Sequence, residues 1–179
     1  MKYIRWALLV LGMTLTGGVW PDETGPGIPP AEMQPVRFAG WDRILQEHKG
    51  HITVVDLWAS WCSPCIERFP HMVDLYHRYH DQGVRFISLN FDQQGDIESL
   101  QWANRFLQRI GAAFPNYHMD ENMTAAFDHL DLQGLPVVLI YGVDGAEAYR
   151  LTGDDPNHQF HDQDVENAVL ALLGQKPRH

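Results

Sequence analysis

The stretch that decides the fold is residues 52–65, which read ITVVDLWASWCSPC. Its first seven residues are mostly apolar or β-branched, as in a central strand covered on both faces. Asp56 is the one charged residue in that run. Pro64 suits the first turn of a helix, because its missing N–H would have no partner there. The sequence therefore predicts a buried strand that leads through a short turn into a helix.

Cys62 and Cys65, the only two cysteines of the chain, lie where this helix begins. Two cysteines this close cannot link distant segments, and a zinc site would need two further ligands. A haem-attachment motif would need histidine at position 66, which is isoleucine. Unpaired N–H groups and the helix dipole stabilise a thiolate at a helix start. We therefore predict a redox pair, in which Cys62 at the exposed tip attacks a partner disulfide and the more shielded Cys65 resolves the product.

Helical and strand patterns alternate on both sides of this stretch. The predicted helices span residues 41–49, 64–80, 97–110, 122–130 and 162–173. The predicted strands span residues 52–58, 84–91, 137–141 and 146–151, and residues 112–120 form a loop or a short strand. The alternation predicts parallel strands, and the turn signal Asp144-Gly145 predicts a final antiparallel hairpin. The expected sheet is therefore mixed.

The N-terminal residues have the pattern of an export segment. Lys2 and Arg5 precede 15 uncharged residues, 6–20, fewer than the roughly 20 of a spanning helix. We predict a signal peptide or membrane anchor at residues 1–20. Residues 21–35 hold five of the eleven prolines and are predicted to be a tether. The folded domain then spans residues 36–175, and the protein is placed outside the cytoplasm, in the periplasm or cell envelope.

Composition limits the partners. The chain has 179 residues and a formal net charge of −10, which argues against nucleic acid or anionic lipid as a main partner. The length suits a single domain with a short tail. We expect a monomer that meets the membrane only through its N-terminal segment.

A second block supports a family resemblance. Residues 134–141 read GLPVVLIY, followed by Asp144-Gly145 and Gly153. Together with residues 55–65, this block resembles the thioredoxin superfamily from about residue 36 to residue 173. The resemblance implies a three-layer sandwich, a mixed central sheet flanked by helices, with an extra insertion at residues 91–120. It also implies a thiol–disulfide oxidoreductase that needs no cofactor and no metal.

The resemblance assigns roles to particular residues. It makes Asp56 the buried acid that moves a proton to and from Cys65, and burial should raise the pKa of this carboxyl. It makes Pro136 a cis-proline beside the sulfurs, with Leu135 offering backbone groups to an extended substrate. The remaining residues of the predicted substrate site are Trp61, Ser63 and Pro64.

The insertion and the export segment resemble the extracytoplasmic branch of TlpA-like, ResA-like and CcmG-like proteins. Many of these reduce disulfides during cytochrome c maturation, and the branch tends to carry glutamate three residues after the second cysteine. Arg68 occupies that position here, which weakens the inference of a role in cytochrome c maturation. Asp56 and the Ser63-Pro64 dipeptide, which stays close to the Gly-Pro of thioredoxin, favour a reductase of exported proteins that is kept reduced by a membrane electron donor. The alternatives are a disulfide oxidase or isomerase of the same fold, and a binding module or metallochaperone that holds a metal such as copper.

Overall fold

The computed structural model describes residues 32–153 and 159–176. Its strands are β1 (Gln34–Val36), β2 (Thr53–Trp58), β3 (Arg85–Asn90), β4 (Asn116–Met119), β5 (Val137–Tyr141) and β6 (Glu147–Thr152). Its helices are α1 (Phe38–Glu47), α2 (Ser63–Tyr79), α3 (Ile97–Ile110), α4 (Met123–His129) and α5 (Asp162–Leu172). The predicted signal peptide and residues 21–31 of the predicted tether lie outside the described residues.

The strands of the described part form one sheet in the order β1-β4-β3-β2-β5-β6. Strands β1, β4, β3 and β2 are mutually parallel, and β5 and β6 run antiparallel to their neighbours. The predicted mixed sheet is therefore confirmed. Gly145 has φ 78° in the β5–β6 turn, a backbone conformation that favours glycine.

Helices cover both faces of the sheet, which confirms the three-layer arrangement. Helices α2, α3 and α5 share one face, where Phe69 packs edge-on against Phe106 and the Tyr79 hydroxyl donates to Glu166. Helices α1 and α4 share the other face, where the ring of Phe38 stacks on His129.

Strand β2 lies at the centre of the sheet, between β3 and β5, and all six of its residues are buried. A parallel neighbour on one side and helices on both faces explain why its sequence is almost continuously apolar. Asp56 pairs across the sheet with Ser88 and Val138. The acid is therefore placed in the middle of the core.

The predicted insertion folds as one helix and one strand. Helix α3 begins after Asp96, whose carboxylate accepts from the backbone N–H of Ser99. Strand β4 then enters the sheet between β1 and β3, which decides the ambiguous segment in favour of a short strand. Strand β1 begins at Gln34, two residues before the expected domain start, and its Pro35 is tolerated because β1 is an edge strand.

No helix within residues 32–153 and 159–176 is long and apolar enough to cross a membrane.

Candidate active site

The two cysteines form a disulfide at the start of α2. Cys62 is the residue that precedes the helix, Pro64 occupies its first turn, and the Cα atoms of Cys62 and Cys65 are 5.3 Å apart. Cys65 is fully buried and Cys62 is 5% exposed. Cys62 is thus the more exposed residue of the pair, as expected, but the prediction of an exposed tip was wrong. The exposed group is the neighbouring Trp61, at 55%.

The buried carboxylate of Asp92 accepts hydrogen bonds from the turn that leads to Cys62. Asp92 follows β3, is 2% exposed, and its Oδ1 accepts from the backbone N–H and the hydroxyl of Ser60. Its Oδ2 accepts from the side-chain amide of Asn90. The backbone carbonyl of Asp92 lies 2.8 Å from Nε2 of His118 on β4. The turn before Cys62 is therefore tied to the ends of β3 and β4.

Asp56 is fully buried beneath this helix start. Its Oδ1 accepts a hydrogen bond of 2.8 Å from Nη1 of Arg68, and the two form an ion pair. Within the described residues, Oδ2 of Asp56 and Nε of Arg68 are buried without a hydrogen-bond partner. Burial raises the pKa of Asp56 to about 6, although the charge and hydrogen bond of Arg68 lower it and the charge of Asp162 raises it further. The carboxyl can therefore exchange a proton near neutral pH.

The backbone between Leu135 and Pro136 is a cis peptide, as predicted. Pro136 is buried and Leu135 is half-buried. The N–H of Gly153 donates to the carbonyl of Pro136, and a side chain at position 153 would begin 2.9 Å from the proline ring. Glycine at that position therefore lets the chain leaving β6 approach the cis-proline closely.

A surface cavity of about 260 Å³ joins the helix start to the cis-proline loop. Pro64 and Arg68 line it from α2, Pro136 and Gly153 from the loops, and Phe160 from the segment before α5. The fold thus brings Pro64 and Pro136, far apart in sequence, to the same depression.

Trp58 lies under the site and belongs to the core. It is fully buried, and its ring packs against Phe69 and Phe106. Its Nε1 has no hydrogen-bond partner among the described residues. Trp58 therefore contributes to the core rather than to the surface of the site.

Sequence reasoning missed three neighbours of the site: Arg68, Asp92 and Phe160. Arg68 attracted notice only as a departure from a family pattern, although its position three residues after Cys65 puts both on one helix face. Asp92 is the acid that directly follows a buried strand, a signal that could have been used. Nothing in the sequence pairs Phe160 with Arg68. The catalytic and binding roles assigned to the predicted residues stay predictions at this point.

Within residues 32–153 and 159–176, no cluster of three or more histidine, cysteine, aspartate or glutamate side chains could hold a metal ion.

Comparison with known proteins places this geometry among thiol–disulfide proteins. The AhpC/TSA family model matches residues 28–126. The chain is 27% identical to thiol-disulfide oxidoreductase ResA of Bacillus subtilis over 118 residues, 66% of this chain and 62% of ResA. It is 31% identical to thiol:disulfide interchange protein CycY of Rhizobium leguminosarum over 109 residues, 61% of this chain and 54% of CycY. The chain thus spans less than two thirds of either curated relative.

A solved structure confirms the fold. A Chlorobium tepidum protein assigned as thiol:disulfide interchange protein DsbE superposes with a TM-score of 0.58 at 26% identity, over 73% of this chain and 85% of that one. The thioredoxin-like sandwich predicted from the sequence is therefore the fold of this domain.

Proposed function

The chain belongs to the AhpC/TSA family, and from this premise we propose that it is a thiol–disulfide oxidoreductase that reduces disulfides of exported proteins. The observation that carries the proposal is the Cys62–Cys65 disulfide at the start of α2, beside a cis-proline loop. A thiolate at a helix start is stabilised by free N–H groups and by the helix dipole. The names of ResA and CycY point to the same chemistry.

The reaction starts from the reduced dithiol. The Cys62 thiolate attacks one sulfur of the client disulfide, whose second sulfur leaves as a thiolate and takes up a proton. The Cys65 thiol then loses its proton and attacks the Cys62 sulfur. This step forms the Cys62–Cys65 disulfide and breaks the bond from Cys62 to the client sulfur that it had attacked, which leaves as a thiolate and takes up a proton. The client gains two electrons and two protons, and this protein loses them. The structure corresponds to the oxidised end state.

Asp56 is the proposed proton acceptor for Cys65. The carboxyl is fully buried, and burial holds its pKa at about 6. A group with a pKa near the working pH exchanges protons efficiently in both directions. Asp56 would take the proton as Cys65 attacks and return it when the pair is reduced again.

The proposed client site is the surface around the disulfide. Trp61 offers an exposed aromatic ring, and Ser63 and Pro64 form the exposed first turn of α2. Across the cavity, Leu135 and Pro136 would hold the client backbone in an extended form. Recognition of the backbone rather than of particular side chains suits a protein with several clients.

The proposed setting is the cell envelope. The support is the charge-then-apolar pattern of residues 1–20 and the resemblance to the extracytoplasmic branch. A reductase in that oxidising compartment needs a continuing supply of electrons, so we propose a membrane dithiol as the donor. Apocytochrome c, with its paired haem-binding cysteines, is one client class to test.

A redox titration of Cys62–Cys65 against glutathione tests the proposal. The expected reduction potential lies near that of thioredoxin, about −270 mV, whereas a potential near the −120 mV of DsbA would indicate an oxidase. Tight copper binding by the reduced protein, with no disulfide turnover, would indicate a metal-binding module instead. The Cys62→Ser/Cys65→Ser double variant is the control that should show no titration.

A further inference from the structure

Arg68 is nearly enclosed, although arginine is usually exposed. Its side chain is 10% exposed, and its Nη1 lies 2.8 Å from Oδ1 of Asp56. It follows Cys65 by three residues on α2, so both side chains lie on one face of the helix. The guanidinium therefore contacts the buried acid from the helix face that also carries Cys65.

The guanidinium of Arg68 also packs over the ring of Phe160. The guanidinium carbon lies 4.8 Å from the centroid of the Phe160 ring, within the range of a cation–π contact. Phe160 directly precedes His161, the N-cap of α5, so its backbone is tied to a helix end. A charge fixed between a carboxylate and an aromatic ring has little freedom to turn away from Asp56.

The charges that act on Asp56 come from two helices. Arg68 on α2 supplies the fixed positive charge, and the charge of Asp162 on α5 opposes ionisation. Arg68 and Asp162 line the cavity described above together with the titratable residues Glu67 and His161. The His71 ring contacts the backbone carbonyl of Asp162 through Nε2. The residues beside Asp56 on the two adjacent strands are Ser88 and Val138, and neither titrates at ordinary pH. Arg68 is thus the group near Asp56 that favours the carboxylate.

We propose that Arg68 is a positioning residue for disulfide exchange: its guanidinium, fixed between Asp56 and Phe160, keeps Asp56 able to accept the proton of Cys65. This inference rests on the proposed function. In the resolving step the proton passes from the Cys65 sulfur to an Asp56 oxygen. The sulfur's electron pair forms the bond to Cys62, and the client sulfur leaves with the electrons of the broken bond. Without the guanidinium, burial would keep Asp56 protonated at neutral pH, and the acceptor would already be filled.

The test follows the carboxyl of Asp56 by NMR titration of ¹³C-labelled protein in the disulfide form, without client. In Arg68→Met the titration midpoint should rise by at least about one pH unit, a tenfold change in proton affinity. Arg68→Lys should restore most of the wild-type midpoint. The matched control is Arg78→Met, which breaks another arginine–carboxylate pair of α2, with Glu166, and should leave the Asp56 midpoint unchanged.

An identical midpoint in wild type and Arg68→Met would overturn the proposal. If Arg68→Met does not fold, Arg68→Gln, which keeps a polar chain without charge, replaces it. The pH profile of client reduction gives the second readout: its acid limb should move by the same amount as the midpoint, and an unmoved limb would also overturn the role. The NMR titration needs no client. A wild-type protein that does not reduce a client would therefore refute the proposed function, while the NMR titration would still test the effect of Arg68 on Asp56.

Discussion

Helix α2 carries two arginine–carboxylate pairs, one near each end, and they are built differently. Near the active-site end, Arg68 pairs with Asp56, both are nearly or fully enclosed, and Oδ2 of Asp56 lacks a partner among the described residues. Near the other end, Arg78 is 37% exposed and pairs with Glu166, which also accepts from the hydroxyl of Tyr79. The second pair joins α2 to α5 with its carboxylate well satisfied, as a structural pair requires. The first leaves a buried carboxyl that can take up a proton, which suits a chemical role.

The largest expected difference between the two pairs is in turnover. Asp56→Asn removes the proposed proton acceptor and should slow client reduction at pH 7 by about a hundredfold, the lower range for a positioned acid–base group. Glu166→Gln should leave the rate within about twofold of wild type, since this carboxylate does not meet the sulfurs in the proposed mechanism. Insulin reduction measured between pH 5 and pH 9 checks both. Equal losses of rate in the two variants would contradict a chemical role for Asp56 that Glu166 lacks.

The next effect is the pH dependence of stability. Burial holds the pKa of Asp56 at about 6 in the folded chain, above its value of about 4 in an unfolded chain. The folded state therefore binds this proton more tightly, and the resulting stability is full below about pH 4 and lost as the pH rises through about 6. Urea unfolding of the oxidised protein should show a loss of about 3 kcal/mol over that window, relative to Asp56→Asn. A difference between the two proteins that does not change from pH 4 to pH 7 would contradict the raised pKa.

A smaller effect is expected from breaking the structural pair. Glu166→Gln leaves Arg78 without its counter-charge, but Arg78 is partly exposed to solvent. The free energy of unfolding should therefore fall by only about 1–2 kcal/mol, less than for a fully buried pair. Urea denaturation at pH 7 measures this change, and a loss above about 4 kcal/mol would mean that the pair contributes as much as a fully buried ion pair.

The smallest stability effect is expected at Trp61. This ring is 55% exposed, so Trp61→Ala should change the free energy of unfolding by no more than about 0.5 kcal/mol. Its KM for a protein client should nevertheless rise several-fold, because the proposed docking surface loses its aromatic group. Tyr149→Ala, at an exposed position of β6, is the control. A KM that rises equally in both variants would argue against docking at Trp61.

Signals within short stretches of the sequence predicted many of the helices, strands and turns. The apolar run of β2, the proline in the first turn of α2 and the Asp144-Gly145 turn each depend on neighbouring residues, and each led to the observed element. The boundaries of α3 and β5 agree with the predicted ranges. The burial of Asp56 also followed from its place in an apolar strand.

What escaped prediction depends on contacts between distant segments. Three such contacts join different elements of the fold. They are the Arg68–Asp56 ion pair, the packing of the Phe160 ring on Arg68, and the hydrogen bond from Ser60 to Asp92. A single sequence has no local pattern that identifies such partners. The low exposure of Cys62 also escaped prediction.

Covalent trapping tests the central claim, disulfide exchange through Cys62 and Cys65, most directly. Cys65→Ser and Cys62→Ser variants are each reduced, mixed with a disulfide-bearing client, quenched with acid and resolved on a non-reducing gel. The account predicts a mixed disulfide on Cys62 in the Cys65→Ser variant and little adduct in the Cys62→Ser variant, because the remaining Cys65 is fully buried. Adducts that form mainly through Cys65, or in neither variant, would contradict it.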